Sequence, residues 1–230
     1  MRLAALFSGG KDSTLAIDVA EQHGWEVTHL VTVKPRNEES YMFHVPNLHL
    51  APLQAEAMGK PLLEVPTSGE KEKELDPLER ALAELTIDGV VVGALASEYQ
   101  KTRVDRICHR LGIKSFAPLW HKRGEDVLRT LTEGGYDVRF AAVAAEGLTE
   151  AWLGRRLDAK AVEALKALNA RYGVHVAGEG GEFETLVLAS PRWPRCVVVD
   201  RAEPRWSRDH GRWHVAEARV AAKASPQPPA

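Results

Sequence analysis

The first thirteen residues, MRLAALFSGGKDS, constrain the fold more than any other stretch of the chain. Residues 3–7 form an apolar run with the length of a buried strand, and they lead directly into a turn that contains Gly9 and Gly10. A helical pattern follows over residues 13–23, and Gly24 is placed to end that helix. A strand, a glycine-rich turn and a helix in this order predict the first unit of an α/β fold.

The same alternation continues through the first half of the chain. Asp76 and Pro77 have the character of an N-cap and a first helical residue. The pattern predicts a doubly wound, parallel five-stranded sheet of Rossmann-like type with right-handed crossovers. Its later strands are expected at 26–33, 62–65, 89–95 and 114–119, and its later helices at 78–85 and 98–111.

The character of the sequence changes after Trp120, where strands and turns begin to dominate. This change predicts a second, smaller α+β domain. We therefore expect a nucleotide-binding domain at 1–120, a substrate-binding domain at 121–222 and a disordered tail at 223–230. Helices are expected in the second domain at 125–131 and 158–172, and strands at 138–145, 174–178, 184–188, 196–200 and 213–220.

Composition narrows the class of protein. The 230 residues carry a formal net charge of −2, which gives no general attraction to nucleic acid and argues against a nucleic-acid partner. The only cysteines, Cys108 and Cys196, form no CxxC pair, so a reducing cytoplasm is the expected compartment. No apolar run approaches the roughly 20 residues of a membrane span, so no membrane association is expected.

The opening turn has the composition of an anion-binding loop. Glycines allow a ligand close to the backbone, and the helix N-terminus adds partial positive charge. Ser8 and Ser13 can donate hydrogen bonds, and Lys11 supplies a full charge. Asp12 is expected beside phosphate only with a cation between them, which favours Mg²⁺. A Walker loop is excluded, because that pattern requires Gly at position 5 and Ser or Thr at position 12, where this chain has Ala5 and Asp12.

Two further segments belong to the same edge of the predicted sheet. Val31, Thr32 and Val33 end a strand beside the first one, so they are expected to contact adenine. The connection 39–47 contains two aromatic residues and His44, and it is expected to form an ordered loop near the ligand.

The stretch GALASEYQKTR, residues 93–103, repeats the residue pattern of the opening turn. A buried strand ends in small residues, and polar side chains follow at the start of a helix. Ser97 fits a plain N-cap equally well. The candidates for substrate binding here are Ser97, Glu98, Tyr99, Gln100 and Arg103.

The stretch GEGGEFET, residues 178–185, places three carboxylates among three glycines. The acids repel one another unless a cation lies between them. The functional interpretation is a flexible backbone that brings Glu179, Glu182 or Glu184 to Mg²⁺, to an amine or to a basic substrate group; the alternative is a solvated acidic loop. Glu179, Gly180, Gly181 and Thr185 are the candidates for substrate binding.

SGGKDS resembles the pyrophosphate loop, SGGxDS, of the N-type ATP pyrophosphatases. Together with GALASEYQKTRVDRIC, PLW at 118–120 and GEGGEFET, it resembles the diphthine–ammonia ligase family. The resemblance implies that ATP and ammonium convert the carboxylate of diphthine, a modified histidine on elongation factor 2, to diphthamide. An acyl-adenylate would form, and AMP and pyrophosphate would be released. The resemblance implies that ATP is held by Ser8, Gly9, Gly10, Lys11, Asp12 and Ser13, with Asp12 also placing Mg²⁺.

Catalysis is assigned to three residues on this interpretation. Lys11 would offset the charge of the leaving pyrophosphate, and either Glu182 or Glu184 would take a proton from ammonium. The alternatives are a tRNA-modifying adenylating enzyme of thiolation or lysidine type, a non-catalytic nucleotide-binding module, and a ligase that amidates another carboxylate. The oligomeric state stays open, with a homodimer among the alternatives, as does the role of the Arg- and Trp-containing residues 201–214.

Overall fold

A computed structural model of the chain describes residues 1–35, 46–67 and 75–223. Its first half contains a five-stranded sheet in the order β3-β2-β1-β4-β5. Every pair of neighbouring strands is parallel, which confirms the predicted α/β class. The strands are β1 (Arg2–Leu6), β2 (Glu26–Pro35), β3 (Leu62–Thr67), β4 (Gly89–Val91) and β5 (Lys114–Phe116).

Two of the helices begin at residues whose side chains cap them. The Ser97 side chain accepts a hydrogen bond from the Gln100 amide, and the Asp158 side chain accepts one from Ala161. Within the described part of the chain, no helix is long and apolar enough to cross a membrane. The helices are α1 (Lys11–Gln22), α2 (Ala51–Met58), α3 (Leu75–Ala83), α4 (Glu98–Leu111), α5 (Gly124–Glu133) and α6 (Ala159–Tyr172), with short 3₁₀ turns at Leu48–Leu50 and Glu150–Trp152.

A second sheet, antiparallel and four-stranded, forms most of the other half in the order β7-β6-β9-β8. Its last two strands pair over their whole length as a long hairpin, which includes the Arg- and Trp-containing residues 201–214. The strands are β6 (Asp137–Val143), β7 (Phe183–Ala189), β8 (Arg195–Ser207) and β9 (His210–Ala222).

Three sequence expectations differ from the structure. The strand expected at 89–95 pairs only over Gly89–Val91, because the chain then leaves the sheet to reach α4. The run 174–178 is not a strand, since Gly178 takes a φ of +76° and turns the chain toward β7. Asp76 lies inside α3 and therefore does not cap it. Helix α2 was not predicted: its buried face includes the polar Gln54 and its exposed face includes Pro52, so the sequence lacks the alternation that marks an amphipathic helix.

The two sheets pack against one apolar core. Leu3 and Ile17 of the first half belong to the same buried cluster as Phe140 and Leu186 of the second half. The expected division at residue 120 stays a prediction about domains. In the structure the helix α1 packs on β7, and α2 packs on β7, β8 and β9.

A buried polar bridge also joins the two halves. Asp18 of α1 is 1% exposed, and its Oδ2 accepts hydrogen bonds of 2.6 Å from the Tyr136 hydroxyl and from the Ser190 hydroxyl. Burial raises the pKa of Asp18, although both hydroxyl donors act in the opposite direction. The carboxyl is thus costly to leave without its partners.

We expect the substitution Tyr136→Phe to destabilise the fold by about 1–3 kcal/mol, because it removes a donor from a buried carboxyl. Urea denaturation of both proteins measures the difference. Tyr172→Phe, which removes a hydroxyl from a half-buried ring at the end of α6, is the control and should change stability by less than about 0.5 kcal/mol. Equal effects of the two substitutions would show that the bridge does not stabilise the junction.

Candidate active site

A cleft of about 460 Å³ lies at the carboxyl ends of β1, β2 and β4. The sheet order places the topological switch point between β1 and β4, which is where doubly wound sheets bind ligands. The acidic loop of the second half forms the opposite wall. Predicted site residues that line the cleft are Ser8, Lys11, Asp12, Ser13, Val31, Val33, Ser97, Tyr99, Gln100, Glu179, Gly181 and Glu184.

A larger cleft of about 630 Å³ lies on the second sheet. Two arginines pair with Asp137 in this cleft: Arg139 Nε lies 2.7 Å from Asp137 Oδ1, and Arg156 Nε lies 3.7 Å from the same oxygen. None of the predicted site residues lines it, although Trp213 of the stretch 201–214 does. The smaller cleft is therefore the candidate active site.

The phosphate loop, residues 8–13, is held by its own hydroxyls and by β7. The Ser8 and Ser13 hydroxyl oxygens are 3.1 Å apart, and the Gly10 amide donates to Ser8 Oγ at 3.3 Å. The Lys11 amide donates to Thr185 Oγ1 at 3.1 Å. These two amides already have protein partners. The groups of the loop that remain for an anion include the hydroxyls of Ser8 and Ser13, the charge of Lys11 and the N-terminus of α1.

Two glycines permit the close packing around this loop. Gly9 has a φ of +79°, and a Cβ atom there would lie 2.3 Å from Gln54 Oε1. A Cβ atom on Gly93, just beyond β4, would lie 2.6 Å from the Ser13 amide nitrogen. Both contacts are impossible for real Cβ atoms, so only glycine lets the strand ends and the loop approach this closely.

Lys11 and Asp12 form an ion pair at the floor of the cleft. Lys11 is 4% exposed, and its Nζ lies 2.7 Å from Asp12 Oδ2. Burial acts to lower the pKa of Lys11, but the attraction of Asp12, with smaller contributions from Glu179 and Glu184, outweighs it, and the pKa is raised. Lys11 is thus firmly protonated. Asp12 Oδ1 is buried and has no hydrogen-bond partner among the described residues.

The three glutamates of the acidic loop have different surroundings. Glu182 accepts hydrogen bonds from the His175 amide at 2.9 Å and from the Gly180 amide at 2.8 Å, so its carboxylate holds the loop together. Glu179 accepts a hydrogen bond from the Ala96 amide at 3.1 Å and thereby joins the loop to the exit of β4. Glu184 faces the cleft. Of the two predicted catalytic acids, the structure places Glu184 rather than Glu182 at the cleft.

The acids that face Lys11 have raised pKa values. Glu184 reaches the solvent of the cleft, yet protein surrounds most of its carboxyl, and this desolvation raises its pKa to about 7 despite the opposing charge of Lys11. Burial, together with the nearby charge of Asp12, raises the pKa of Glu179. A carboxyl whose pKa lies near neutrality can both accept and release a proton at physiological pH.

The other predicted residues support the cleft or lie beside it. Thr32 is buried and donates to the Phe7 carbonyl at 2.7 Å, and Thr185 lies beneath the phosphate loop. The Arg103 guanidinium stacks 3.3 Å from the centre of the Tyr99 ring. Residues 39–45 of the predicted ligand loop lie outside the described residues. Glu98, Arg103, Gly180 and Glu182 are not among the described residues that line the cleft.

Sequence reasoning missed several residues of the site. Leu48 and Phe183 line the cleft, and the Phe183 ring lies with its centre 5.6 Å from Lys11 Nζ. Gln54 of α2 contacts the phosphate loop from behind. The sequence APLQAEAM offered one signal for Gln54, which is the single uncharged polar side chain in a short, largely apolar segment. In the structure this side chain is almost fully buried.

Comparisons with known proteins identify relatives over both halves. Residues 1–115 match the family described as the diphthamide synthase N-terminal domain, and residues 123–220 match the diphthamide synthase C-terminal domain. The diphthine–ammonia ligase of Homo sapiens is 34% identical over 226 residues, which cover 88% of this chain and 84% of that protein. The diphthine–ammonia ligase of Danio rerio is 33% identical, with 88% of each chain covered.

A solved structure described as a predicted subunit of tRNA methyltransferase from Methanocaldococcus jannaschii is also similar. It is 19% identical, with a TM-score of 0.45 over 83% of this chain and 98% of that one. A similarity at this level carries no information about function.

We expect Gly9→Ala to weaken binding of ATP by at least about tenfold, because the added Cβ would push the loop away from Gln54. Titration calorimetry with ATP and Mg²⁺ measures the change. Gly24→Ala is the matched control: its φ of +77° carries the same strain of about 1–2 kcal/mol, but its Cβ would meet nothing within 4 Å. The control should lose stability and keep its affinity for ATP. Unchanged affinity in Gly9→Ala would place the nucleotide elsewhere.

Proposed function

Because the chain belongs to the diphthamide synthase family, we propose that it is an ATP-dependent ligase that amidates the carboxylate of diphthine with ammonia. The single observation that supports this most is the cleft itself, in which a phosphate loop with Lys11 faces Glu179 and Glu184 across a common space. One wall suits an anion and the other suits a cation. The reaction needs both, since it releases pyrophosphate and consumes ammonium.

The first half-reaction activates the carboxylate. A carboxylate resists attack by ammonia because an oxide is a very poor leaving group, and transfer of AMP to the carboxylate oxygen provides a good one. The carboxylate oxygen attacks the α-phosphorus of ATP, the bond to the β-phosphate oxygen breaks, and pyrophosphate leaves. Ser8, Ser13 and the protonated Lys11 are positioned to stabilise the negative charge that develops on the departing group.

The residues present also fit a magnesium ion. Among the described residues, no group of three His, Cys, Asp or Glu side chains forms a metal site. Mg²⁺ is commonly held by only one or two carboxylates together with substrate phosphates, and Asp12 Oδ1 is a buried carboxylate oxygen with no partner among the described residues. We propose that Asp12 holds Mg²⁺, which would neutralise phosphate charge when bound.

The second half-reaction joins ammonia to the acyl carbon. The ammonium ion must lose a proton before its nitrogen can attack. AMP then leaves with the bonding electrons of the acyl–oxygen bond, and the attacking nitrogen loses a second proton to solvent to give the neutral amide. We assign the proton transfer to Glu184, because its carboxyl faces the cleft and its pKa of about 7 suits a base at neutral pH. Glu182 holds the loop that carries Glu179, since both of its oxygens accept backbone amides.

We propose elongation factor 2 as the protein that carries diphthine, which would make the cytoplasm the place of action. Diphthine on a folded protein has to enter an open cleft from outside, and the exposed Gly180 and Gly181 leave the acidic wall free of bulky side chains.

The direct test is reconstitution of the reaction with ATP, Mg²⁺, ammonium and elongation factor 2 that carries diphthine. We expect AMP and pyrophosphate in amounts equal to the diphthamide formed, as measured by mass spectrometry of the factor and by chromatography of the nucleotides. Asp12→Asn should lose both this turnover and the Mg²⁺ dependence of ATP binding. Release of ADP, or turnover that requires tRNA instead of the factor, would contradict the proposal.

The pH dependence tests the role of Glu184. Below a pKa of about 7 its carboxyl is protonated and cannot accept a proton, whereas above it the carboxylate is available, so the rate should rise with pH and level off above about 7. The measurement is the amidation rate at saturating ATP and at a saturating concentration of ammonium ion that is held constant at every pH.

Glu184→Gln should reduce this rate by about 10²-fold or more and remove the rise. Glu182→Gln is the matched control from the same loop, and it should keep the rise even if its maximum rate is lower. A Glu184→Gln enzyme that retained the wild-type profile would exclude Glu184 as the base.

A further inference from the structure

Gln54 is a buried polar residue that the reaction as described does not use. Its side chain is 1% exposed and lies on α2, between the two sheets. Its Nε2 donates hydrogen bonds to the Gly9 carbonyl at 2.9 Å and to the Val187 carbonyl at 2.7 Å. One amide group therefore spans the phosphate loop and the strand β7, and both acceptors are main-chain groups that cannot move independently of their elements.

The loop and β7 are also joined directly. The Val187 amide donates to the Gly9 carbonyl at 2.9 Å, and the Lys11 amide donates to Thr185 Oγ1 at 3.1 Å. The Gly9 carbonyl thus accepts two hydrogen bonds from the side opposite the cleft. Glu184 immediately precedes Thr185 in β7. The strand that carries the acid of the cleft wall is therefore the strand to which the phosphate loop is bound.

We infer that Gln54 is a positioning residue, which keeps the phosphate loop in register with β7 so that Lys11 and Glu184 face the same cleft. The inference rests on the proposed function. Gln54 is not among the described residues that line the cleft, so it acts through Gly9 and Val187 and not on the substrate. Catalysis depends steeply on such alignment, because a displacement of about 1 Å at the reacting groups can reduce a rate by about 10²-fold.

The substitution Gln54→Met tests this role, because methionine keeps the length and approximate volume of the side chain but donates no hydrogen bond. We expect kcat for AMP formation to fall by at least about tenfold while the KM for ammonium changes by less than about threefold. Amide hydrogen exchange should be faster in a peptide that covers residues 7–13, which is a result that does not depend on any turnover.

Two further variants separate positioning from simple loss of stability. Tyr136→Phe breaks a different buried contact between α1 and the second half without touching the loop, so it should lose stability and keep kcat. Thr185→Val removes the hydrogen bond between Thr185 Oγ1 and the Lys11 amide, which is the other hydrogen bond that a side chain of the described residues makes to the loop from outside it. If the hydrogen bonds of Gln54 and Thr185 act as one positioning unit, the double variant Gln54→Met/Thr185→Val should lose no more than about threefold in kcat beyond the more affected single variant.

The inference is overturned if Gln54→Met keeps the wild-type kcat, or if Tyr136→Phe at equal stability loses as much activity. It is also overturned if the fold-loss in kcat of the double variant equals the product of the two single losses. These outcomes differ from failure of the proposed function, in which the wild-type protein would show no diphthine-dependent AMP formation. In that case the hydrogen exchange of residues 7–13 still decides whether Gln54 holds the loop, since an unchanged exchange rate overturns the inference.

Discussion

The structure of the cleft depends on one long-range constraint, the binding of the phosphate loop to a strand from the other half of the chain. The Lys11 amide and Thr185 Oγ1 are joined by a hydrogen bond between residues 174 positions apart, and the Gly9 carbonyl accepts from the Val187 amide in the same strand. A glycine-rich loop would otherwise be the most mobile part of such a site, because glycine restricts its backbone least. Here the hydrogen bonds from β7, in the second half of the chain, hold the backbone of the loop in place.

Much of the fold could be predicted because it follows from local patterns. The helix Glu98–Leu111 has the bounds expected from Ser97 before it and Gly112 after it, and both residues take the expected capping conformations. Helix α2 could not be predicted, because the polar Gln54 is buried among the residues that pack on the second sheet while Pro52 is exposed, so its sequence shows no regular apolar stripe. The strand expected at residues 174–178 does not form. Apolar side chains of this run are buried in the core, but its backbone follows a turn.

The sequence predicts many of the residues that line the cleft, but not the different surroundings of each. SGGKDS and GEGGEFET name the residues, and the cleft brings them together. The sequence has no means to distinguish Glu182 from Glu184, because the difference lies in the His175 and Gly180 amides that fold back onto Glu182. The role of Gln54 could not be predicted for a similar reason: its polar side chain stands out in a largely apolar helix, but its two acceptors are main-chain carbonyls, whose positions the sequence does not show.

The charges in the cleft also indicate an order of events. Among the described residues that line the cleft, Lys11 is the cation that faces Asp12, Glu179 and Glu184, and the nearby acids add to the effect of burial in raising the pKa values of Glu184 and Glu179. Phosphates near Lys11 would compete with Asp12 for its ammonium group, since both are anions within reach of one buried cation. Asp12 would then need another cation, which is the role proposed for Mg²⁺. The charge of the bound phosphates attracts ammonium to the cleft, so ATP is expected to bind before ammonium.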